Sequence, residues 1–161
     1  MEKTNAMRIL DQKKIKYSVH EYPHNDEAVD GLMVATLLNQ DPKRVFKTLV
    51  TVDNTKHYHV MVVPVEANLD LKKCARESNV KSLDMIMVKE LLPLTGYVRG
   101  GCSPIGMKKG FKTIVDITAK DYDSIIFSGG KIGLQIEMNP NDLSKVIQVD
   151  FKDISIPVIC Q

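Results

Sequence analysis

The sequence predicts an α/β (α+β) fold in which helices surround a mixed, mostly antiparallel and curled sheet. The 161 residues are 43% hydrophobic and 26% charged, which is the balance of a folded protein with a sizeable core. Segments rich in β-branched residues alternate with segments whose apolar residues recur at helical spacing. Several strands are separated only by short polar or glycine turns, which favours antiparallel pairing. We therefore expect a single domain that spans residues 1–161.

Helices and strands alternate in the first half of the chain, around a predicted hairpin. Residues 45–52 and 58–65 are rich in β-branched residues and are joined by the polar turn DNTKH, which predicts an antiparallel pair. Both runs are almost continuously apolar, so we expect both faces of the hairpin to be covered. Residues 16–22 alternate in the manner of a further strand. Apolar residues at helical spacing predict helices in residues 4–12, 31–40, 69–78 and, ending near Pro93, 87–94.

The second half returns to strands that are separated by glycine turns. It ends in a predicted helix over residues 139–149, because Asn139 suits the N-cap, Pro140 suits the first helical position and the apolar residues that follow share one face. Neither a repeat nor a low-complexity linker interrupts the pattern. The predicted strands are residues 95–102, 112–117, 124–130 and 133–138.

Several classes of protein are excluded by composition. Residues 1–17 lack a continuous apolar run, and no later segment approaches about 18 consecutive apolar residues, so neither a signal peptide nor a membrane span is expected and the predicted location is the cytoplasm. The cysteines are odd in number and widely separated, which argues against a disulfide framework and a zinc ribbon. A structural metal bound by Cys74, Cys102 and Cys160 is therefore not expected.

Charge alone does not indicate a nucleic-acid binder, because 22 basic and 20 acidic residues leave a net charge of only +2. Basic residues nevertheless cluster locally. Each cluster alone is more often a solvated surface, whereas three clusters on one face would suit an anionic partner. The clusters are Lys43–Arg44–Lys47, Lys72–Lys73–Arg76 and Lys108–Lys109–Lys112.

One ammonium group lies in the middle of an apolar predicted strand, at Lys47 in RVFKTLV. Such a lysine is most often at a strand edge, where its stem packs and its charge reaches water. Two glycine pairs give it a possible context, since glycines at strand ends let a ligand approach the backbone amides. Together these features suggest a pocket for an anion or a carbonyl, although neither segment has P-loop or Rossmann spacing. The glycine segments are RGGCSPIG (99–106) and FSGGKIG (127–133).

The residue sets of common hydrolases are poorly represented. His57 and His59 share a strand face, but no carboxylate stands at the spacing of a zinc peptidase and there is no nucleophile elbow. Cys102 could act as a nucleophile, yet no general base is identifiable and a small core filler is the simpler interpretation. The residues by themselves do not select a reaction.

Three motifs occur in order: FKTLV (46–50), GYVRGGCSPIGMKK (96–109) and SGGKIGLQIE (128–137). In sequence and spacing they resemble the YbaK/EbsC family of aminoacyl-tRNA deacylases, relatives of the editing domain inserted in bacterial prolyl-tRNA synthetases, and the similarity extends over nearly the whole chain. The resemblance implies the YbaK/aminoacyl-tRNA synthetase-associated fold. It also implies a free-standing, trans-acting enzyme that hydrolyses mischarged tRNA for proline, typically Cys-tRNA(Pro), beside prolyl-tRNA synthetase, with no cofactor and no DNA or membrane partner.

The resemblance further implies roles for individual residues. Lys47 would orient the aminoacyl ester or the terminal phosphate of the tRNA, with Thr48 following it in the pocket. The GXXXP loop of the family corresponds to residues 100–104, whose amides would hold the ester carbonyl. Val29 or Asp30 would form a pocket wall, where family members often carry an aromatic and an acidic residue. The expected catalytic residues are Lys47, Gly100 and Gly101, and the expected substrate-binding residues are Tyr22, Thr48, Ser103, Pro104, Ser128, Gly129 and Gly130.

The chemistry that the resemblance implies needs no protein nucleophile. An aminoacyl ester is already activated, and a cysteinyl group brings a thiolate that can attack its own carbonyl once the geometry is held. An alanyl ester would instead require a bound water. The alternatives are a non-catalytic tRNA- or synthetase-binding module, a deacylase for another amino acid such as alanine, and a regulatory protein whose tRNA activity is secondary.

Overall fold

The structure is a computed structural model that describes residues 2–25, 27 and 29–157, so Cys160 lies outside the described residues. The α-helices are α1 (Asn5–Gln12), α2 (Gly31–Leu37), α3 (Leu71–Glu77) and α4 (Val88–Thr95), and short 3-10 helices span Ile117–Asp121 and Pro140–Lys145. The strands are β1 (Tyr17–Glu21), β2 (Phe46–Asp53), β3 (Tyr58–Pro64), β4 (Ala67–Leu69), β5 (Leu83–Met85), β6 (Thr113–Asp116), β7 (Ile125–Ser128), β8 (Leu134–Met138), β9 (Val149–Lys152) and β10 (Ser155–Pro157).

The strands form a five-stranded sheet in the order β5-β2-β3-β6-β9, a three-stranded sheet in the order β1-β8-β7 and a β10-β4 pair. The predicted hairpin is confirmed as the antiparallel pair β2–β3, and among the strand pairs of the described residues β3–β6 and β6–β9 are parallel. The mixed, mostly antiparallel arrangement is therefore confirmed, although it is divided between sheets. A single parallel bridge between Val45 and Ile126 joins the two larger sheets.

Strand β3 is covered on both faces, as its apolar run predicts. Val60 and Val62 belong to the main core, which also contains Phe127 and Ile136 of the three-stranded sheet. Met61 and its neighbours on the opposite face belong to a second core, into which α3 packs. Side chains of a strand alternate between its two faces, so a continuous apolar run is what burial of both faces requires.

Side-chain hydrogen bonds define the N-termini of α2 and α4. The Asp30 carboxylate caps α2 by accepting a hydrogen bond from the Leu32 amide at 2.7 Å. The Glu90 carboxylate accepts from the Met87 amide at 2.8 Å at the start of α4. Each bond satisfies an amide at the start of a helix, where backbone amides have no partner within the helix. Among the described residues, no helix combines the length and the apolar character that a bilayer crossing requires.

Two expectations about secondary structure are wrong. Residues 96–102 of the strand expected over 95–102 form an irregular loop, since Gly96 ends α4 with a φ of +82° and a turn follows. The helix expected over 87–94 is confirmed as α4 (Val88–Thr95), whose end is held by bonds from the Thr95 hydroxyl and the Gly96 amide to carbonyls of the helix. The helix expected over 139–149 is a 3-10 turn from which the chain enters β9.

Candidate active site

A gap in strand pairing opens along one edge of β2. Hydrogen-bonded positions alternate in an antiparallel pair. The Val45 carbonyl accepts from Val65 and the Asp53 amide donates to His57, which flank β3, so the backbone of the even-numbered residues between Val45 and Asp53 points to the other edge. On that edge the Arg44 carbonyl accepts from Ile126 of β7 at 2.9 Å. The Val50 carbonyl accepts from Ile86, just after β5, at 3.3 Å. Between these contacts, the amide and carbonyl of Thr48 have no ladder partner in the described part of the chain.

A cleft of about 830 Å³ lies along this gap. Its walls come from β2, from the start of α2, from β5 and α4, and from the ends of the two glycine segments. Five of the residues expected at the site line it together: Tyr22, Lys47, Thr48, Gly100 and Ser128. Both Val29 and Asp30 lie on the wall where one of them was expected.

Lys47 is half-buried, and burial is the main cause that lowers the pKa of its ammonium group below the ordinary value of 10.5. The negative charge of Asp30 acts in the opposite direction but does not cancel the effect of burial. Within the described residues, no carboxylate lies within salt-bridge distance of the Lys47 nitrogen. The ammonium group thus remains available to an anionic or carbonyl oxygen in the cleft.

Thr48 contributes a polar group that the protein leaves unpaired. Its hydroxyl oxygen is buried and has no hydrogen-bond partner among the described residues. Such an unpaired buried hydroxyl costs about 1–3 kcal/mol, so most buried hydroxyls in proteins are bonded. The backbone amide and carbonyl of the same residue, which have no ladder partner in the described part of the chain, are the groups at this strand edge that a ligand in the cleft can satisfy.

The first glycine segment turns sharply at the mouth of the cleft. The Gly101 amide donates to the Val98 carbonyl at 2.9 Å, and Gly100 stands at the third position of this turn with a φ of +85°, where glycine is favoured. A Cβ at Gly101 would lie 3.0 Å from the Ile132 nitrogen, so this residue lets the two glycine segments touch. Within the described residues, only the Gly100 amide of this pair lacks an acceptor.

The second glycine segment also uses its amides internally. Gly129 donates to the Leu134 carbonyl at 2.9 Å, and Gly130 donates to the Ser128 hydroxyl oxygen at 3.2 Å. Neither glycine lines the cleft, whereas Ser128 does. These two glycines therefore shape the β7–β8 turn that presents Ser128.

Ser103 and Pro104 lie beneath the cleft and do not line it. Ser103 is fully buried, and its hydroxyl oxygen accepts from the Ile105 amide at 3.2 Å. The Tyr97 hydroxyl donates to the Ile105 carbonyl at 2.6 Å, which ties this part of the loop to the core. The loop thus divides into a mouth at residues 99–102 and an anchor at residues 103–106.

Among the residues that the structure describes, the cleft contains no catalytic set of the serine-hydrolase or metal-hydrolase kind. The structure describes all four histidines, and none lines the cleft. Burial raises the pKa of the Cys102 thiol to about 12, so this thiol is not a nucleophile near neutral pH and the interpretation as a small core filler is supported. The His59 ring nitrogen Nε2 instead donates to the buried Asp53 carboxylate at 2.9 Å in the hairpin turn.

Sequence reasoning missed Arg99 and the apolar wall that β5 and α4 supply. Arg99 is exposed and lines the cleft, and its place directly before the glycine pair was the available signal. The apolar wall had no motif to announce it, and it consists of Met85, Ile86, Val88 and Leu91.

Two residues of the basic clusters are engaged within the protein. The Arg44 guanidinium bonds Ser124 and, at 2.9 Å, the Glu137 carboxylate. The Lys73 ammonium bonds Asp153 at 3.1 Å and the Ser155 carbonyl at 3.0 Å. These two cations therefore serve interstrand and helix–strand contacts and are less available to an anionic partner.

Comparison with known proteins identifies the family. A profile described as "Aminoacyl-tRNA editing domain" matches residues 29–146, well over half of the chain. The chain belongs to the aminoacyl-tRNA editing domain family. A protein of Enterococcus faecalis, provisionally named Cys-tRNA(Pro)/Cys-tRNA(Cys) deacylase EbsC, is 43% identical over 154 residues that cover 96% of this chain and 94% of that protein.

Solved structures share the fold of this editing domain. A hypothetical protein superposes with a TM-score of 0.83 at 18% identity, over 95% of this chain and all of that one. A protein provisionally described as a trans-editing enzyme for prolyl-tRNA synthetase superposes with a TM-score of 0.80 at 21% identity, over 97% of this chain and 99% of that one. The fold predicted from the sequence is thereby confirmed.

Proposed function

We propose that this editing-domain protein is a trans-acting aminoacyl-tRNA deacylase that removes cysteine from mischarged Cys-tRNA(Pro). The observation that carries the proposal is a cleft in which a half-buried Lys47 and an unpaired Thr48 meet without any acid–base pair among the described residues. Such a site suits an ester that is already activated and that needs orientation more than it needs a protein nucleophile. The name of the E. faecalis relative supports the same substrate.

Four of the residues that line the cleft have a proposed role here. Lys47 binds the ester or the terminal phosphate of the tRNA, and Gly100 presents its amide to the ester oxygen. Ser128 and the ring of Tyr22 bound the space for the aminoacyl group. The other residues expected at the site do not line the cleft, and their proposed role is to hold these groups in place: Gly101, Ser103, Pro104, Gly129 and Gly130.

The proposed reaction uses the thiol of the substrate. The cysteinyl sulfur forms a bond to its own ester carbonyl carbon, the bond from that carbon to the ribose oxygen breaks, and the thiol proton ends on that oxygen. Water then opens the resulting thiolactone to free cysteine. Intramolecular placement contributes about 7–11 kcal/mol in favourable cases, and one amide donor at the oxyanion adds about 3–4 kcal/mol.

The proposed partners are the tRNA for proline and the prolyl-tRNA synthetase that mischarges it, in the cytoplasm. A net charge of +2 supports a tRNA that is delivered by another protein, since phosphate contacts by basic residues supply most of the affinity of an autonomous RNA binder.

The test is release of labelled amino acid from Cys-tRNA(Pro) and from Ala-tRNA(Pro), each relative to spontaneous hydrolysis. We expect release from the cysteinyl substrate by the wild-type protein and none above background by Lys47→Ala. Lys43→Ala is the matched control, because Lys43 is exposed, lies four residues away and does not line the cleft.

Other outcomes would change the proposal. Release from Ala-tRNA(Pro) alone would retain editing but assign the attack to water. Binding of both substrates without release of either would contradict catalysis and favour the tRNA-binding module. Wild-type activity in a folded Lys47→Ala variant would refute the role of Lys47.

A further inference from the structure

At one edge of β2, the backbone of a single residue has no strand partner among the described residues. The even-numbered backbone groups of β2 face away from β3, and β7 and β5 occupy the ends of this edge at Arg44 and Val50. Thr48, midway between them, keeps both its amide and its carbonyl free of ladder bonds in the described residues. An adjacent amide donor and carbonyl acceptor at a strand edge are the groups that bind another chain by strand addition.

An aminoacyl ester carries the two groups that complement this edge. Its α-ammonium is a donor and its ester carbonyl is an acceptor, on either side of one Cα, as in a residue of a strand. In a hydrogen-bonded antiparallel pair, two opposed residues exchange both N–H···O bonds. The ammonium can thus donate to the Thr48 carbonyl while the Thr48 amide donates to the ester carbonyl.

We infer that the aminoacyl group binds as a one-residue antiparallel strand opposite Thr48. This inference rests on the proposed function and adds to it a backbone donor at the reacting carbonyl. The glycine segments leave room for such a donor, since the amides of Gly101, Gly129 and Gly130 are already bonded within the protein.

This pairing fixes where the substrate side chain lies. Directly opposed residues of an antiparallel pair place their side chains on the same face, so the side chain of an L-amino acid lies beside that of Thr48. The Thr48 hydroxyl oxygen is buried there and has no partner among the described residues, so rotation about χ1 must turn it to the cleft before it can donate to or accept from a thiol. Cysteine therefore satisfies a group that alanine leaves unpaired. A D-amino acid would direct its side chain to the face of Lys47 and Leu49, because successive residues of β2 alternate.

The first experiment replaces the backbone amide of Thr48 by an ester, through incorporation of the α-hydroxy analogue of threonine. The side chain is retained and one N–H donor is lost. We expect the rate of Cys-tRNA(Pro) deacylation to fall about 100-fold, as on loss of an oxyanion donor. The control is the protein prepared by the same route with the native amide. A fall of less than about threefold, with wild-type thermal stability, would overturn the inference while leaving the deacylase activity of the native protein intact.

A second variant separates the hydroxyl from a merely structural role. Thr48→Val keeps the branched shape and should lower the rate on Cys-tRNA(Pro) about tenfold, with little change on Ala-tRNA(Pro) if that substrate is cleaved. Thr51→Val is the matched control, because the Thr51 hydroxyl lies on the same strand and is already bonded to the His59 carbonyl at 2.9 Å. An equal loss on both substrates would contradict recognition of the thiol.

Binding can be followed without catalysis. A non-hydrolysable 3′-cysteinylamino-3′-deoxyadenosine, in which an amide replaces the ester, should shift the NMR signal of the Thr48 amide in its L form and not in its D form. Shifts that spare Thr48, or equal shifts by both enantiomers, would overturn the inference. This measurement distinguishes a protein that binds the aminoacyl group but does not deacylate it from one that has no such receptor.

Discussion

Gly101→Ala is the substitution that best separates spacing from hydrogen bonding in the glycine loop. The alanine retains the N–H, so a residue needed only as an amide donor would tolerate it. The new Cβ, however, would lie 3.0 Å from the Ile132 nitrogen and 3.2 Å from the carbonyl carbon and Cα of Lys131. These are backbone atoms, which cannot turn aside as a flexible side chain can.

The size of the effect follows from these distances. Comfortable contacts between such atoms are about 3.5–4.0 Å, so the two glycine segments must separate by roughly half an ångström. Overpacking of this kind costs about 1–3 kcal/mol of stability. Since a misplacement of about 1 Å can cost roughly 100-fold in rate, we expect a displaced Gly100 and Ser128 to lower deacylation about tenfold.

Gly110→Ala is the matched control, because a Cβ there would meet nothing within 4 Å. Urea unfolding and deacylation of Cys-tRNA(Pro) would be measured for both variants and the wild type. We expect a loss of stability and rate for Gly101→Ala and neither for Gly110→Ala. Wild-type stability together with wild-type rate in Gly101→Ala would refute the steric reasoning.

Three further predictions concern single titratable groups. Lys47→Met should abolish activity and raise the free energy of unfolding near neutral pH by about 1 kcal/mol, which is the scale on which functional residues lower stability. Folding lowers the pKa of Lys47, so the unfolded chain binds the proton of this residue more tightly than the folded protein does. The gain in stability, measured by urea unfolding, should therefore shrink as the pH rises from neutral toward 10.5. Cys102→Ala should deacylate at close to the wild-type rate, and Cys102 should resist iodoacetamide at neutral pH, since burial raises its pKa to about 12; rapid labelling of the folded protein would contradict this. Asp53→Asn should lower the midpoint of thermal or urea unfolding and leave deacylation of the folded protein unchanged, because the carboxylate accepts bonds from Thr55, His57 and His59 away from the cleft; an unchanged midpoint would contradict it.

The regular core was predictable because its signals are local. The β2–β3 hairpin follows from two β-branched runs and a polar turn, and α1 follows from helical spacing after Thr4, whose hydroxyl accepts from the Met7 amide. The short strands β4, β5 and β10 were missed because three residues carry too little pattern to be seen without their partners. Loop 95–102 was misread because valine, tyrosine and glycine there serve a helix cap and a turn, which depend on backbone angles.

Several residues of the candidate site could be predicted from the sequence, but which of them line the cleft and which lie behind its wall could not. Lys47, Thr48 and Gly100 were expected from the motifs and do line one cleft. The positions of Ser103 and Pro104 beneath it follow from anchoring by the Tyr97 hydroxyl, a contact between residues eight apart that no spacing rule indicates. The unpaired state of Thr48 depends on where β7 and β5 stop, and thus on two strand registers at once.

The cleft exists because two strands share one edge of β2 without meeting. Pairing of β5 reaches back only to Thr51, apart from the Ile86 contact, and the bridge to β7 lies at Val45. Extension of either strand by a few residues would supply ladder partners to Thr48 and fill the space beside it. The cost of leaving the gap open is concentrated on adjacent residues, as unpaired groups on Thr48 and a desolvated ammonium on Lys47. A ligand could satisfy the Thr48 carbonyl with a donor, the Thr48 amide with an acceptor and the Lys47 ammonium with a negative charge. The end of an aminoacyl-tRNA carries these groups in its ammonium, its ester carbonyl and its last phosphate.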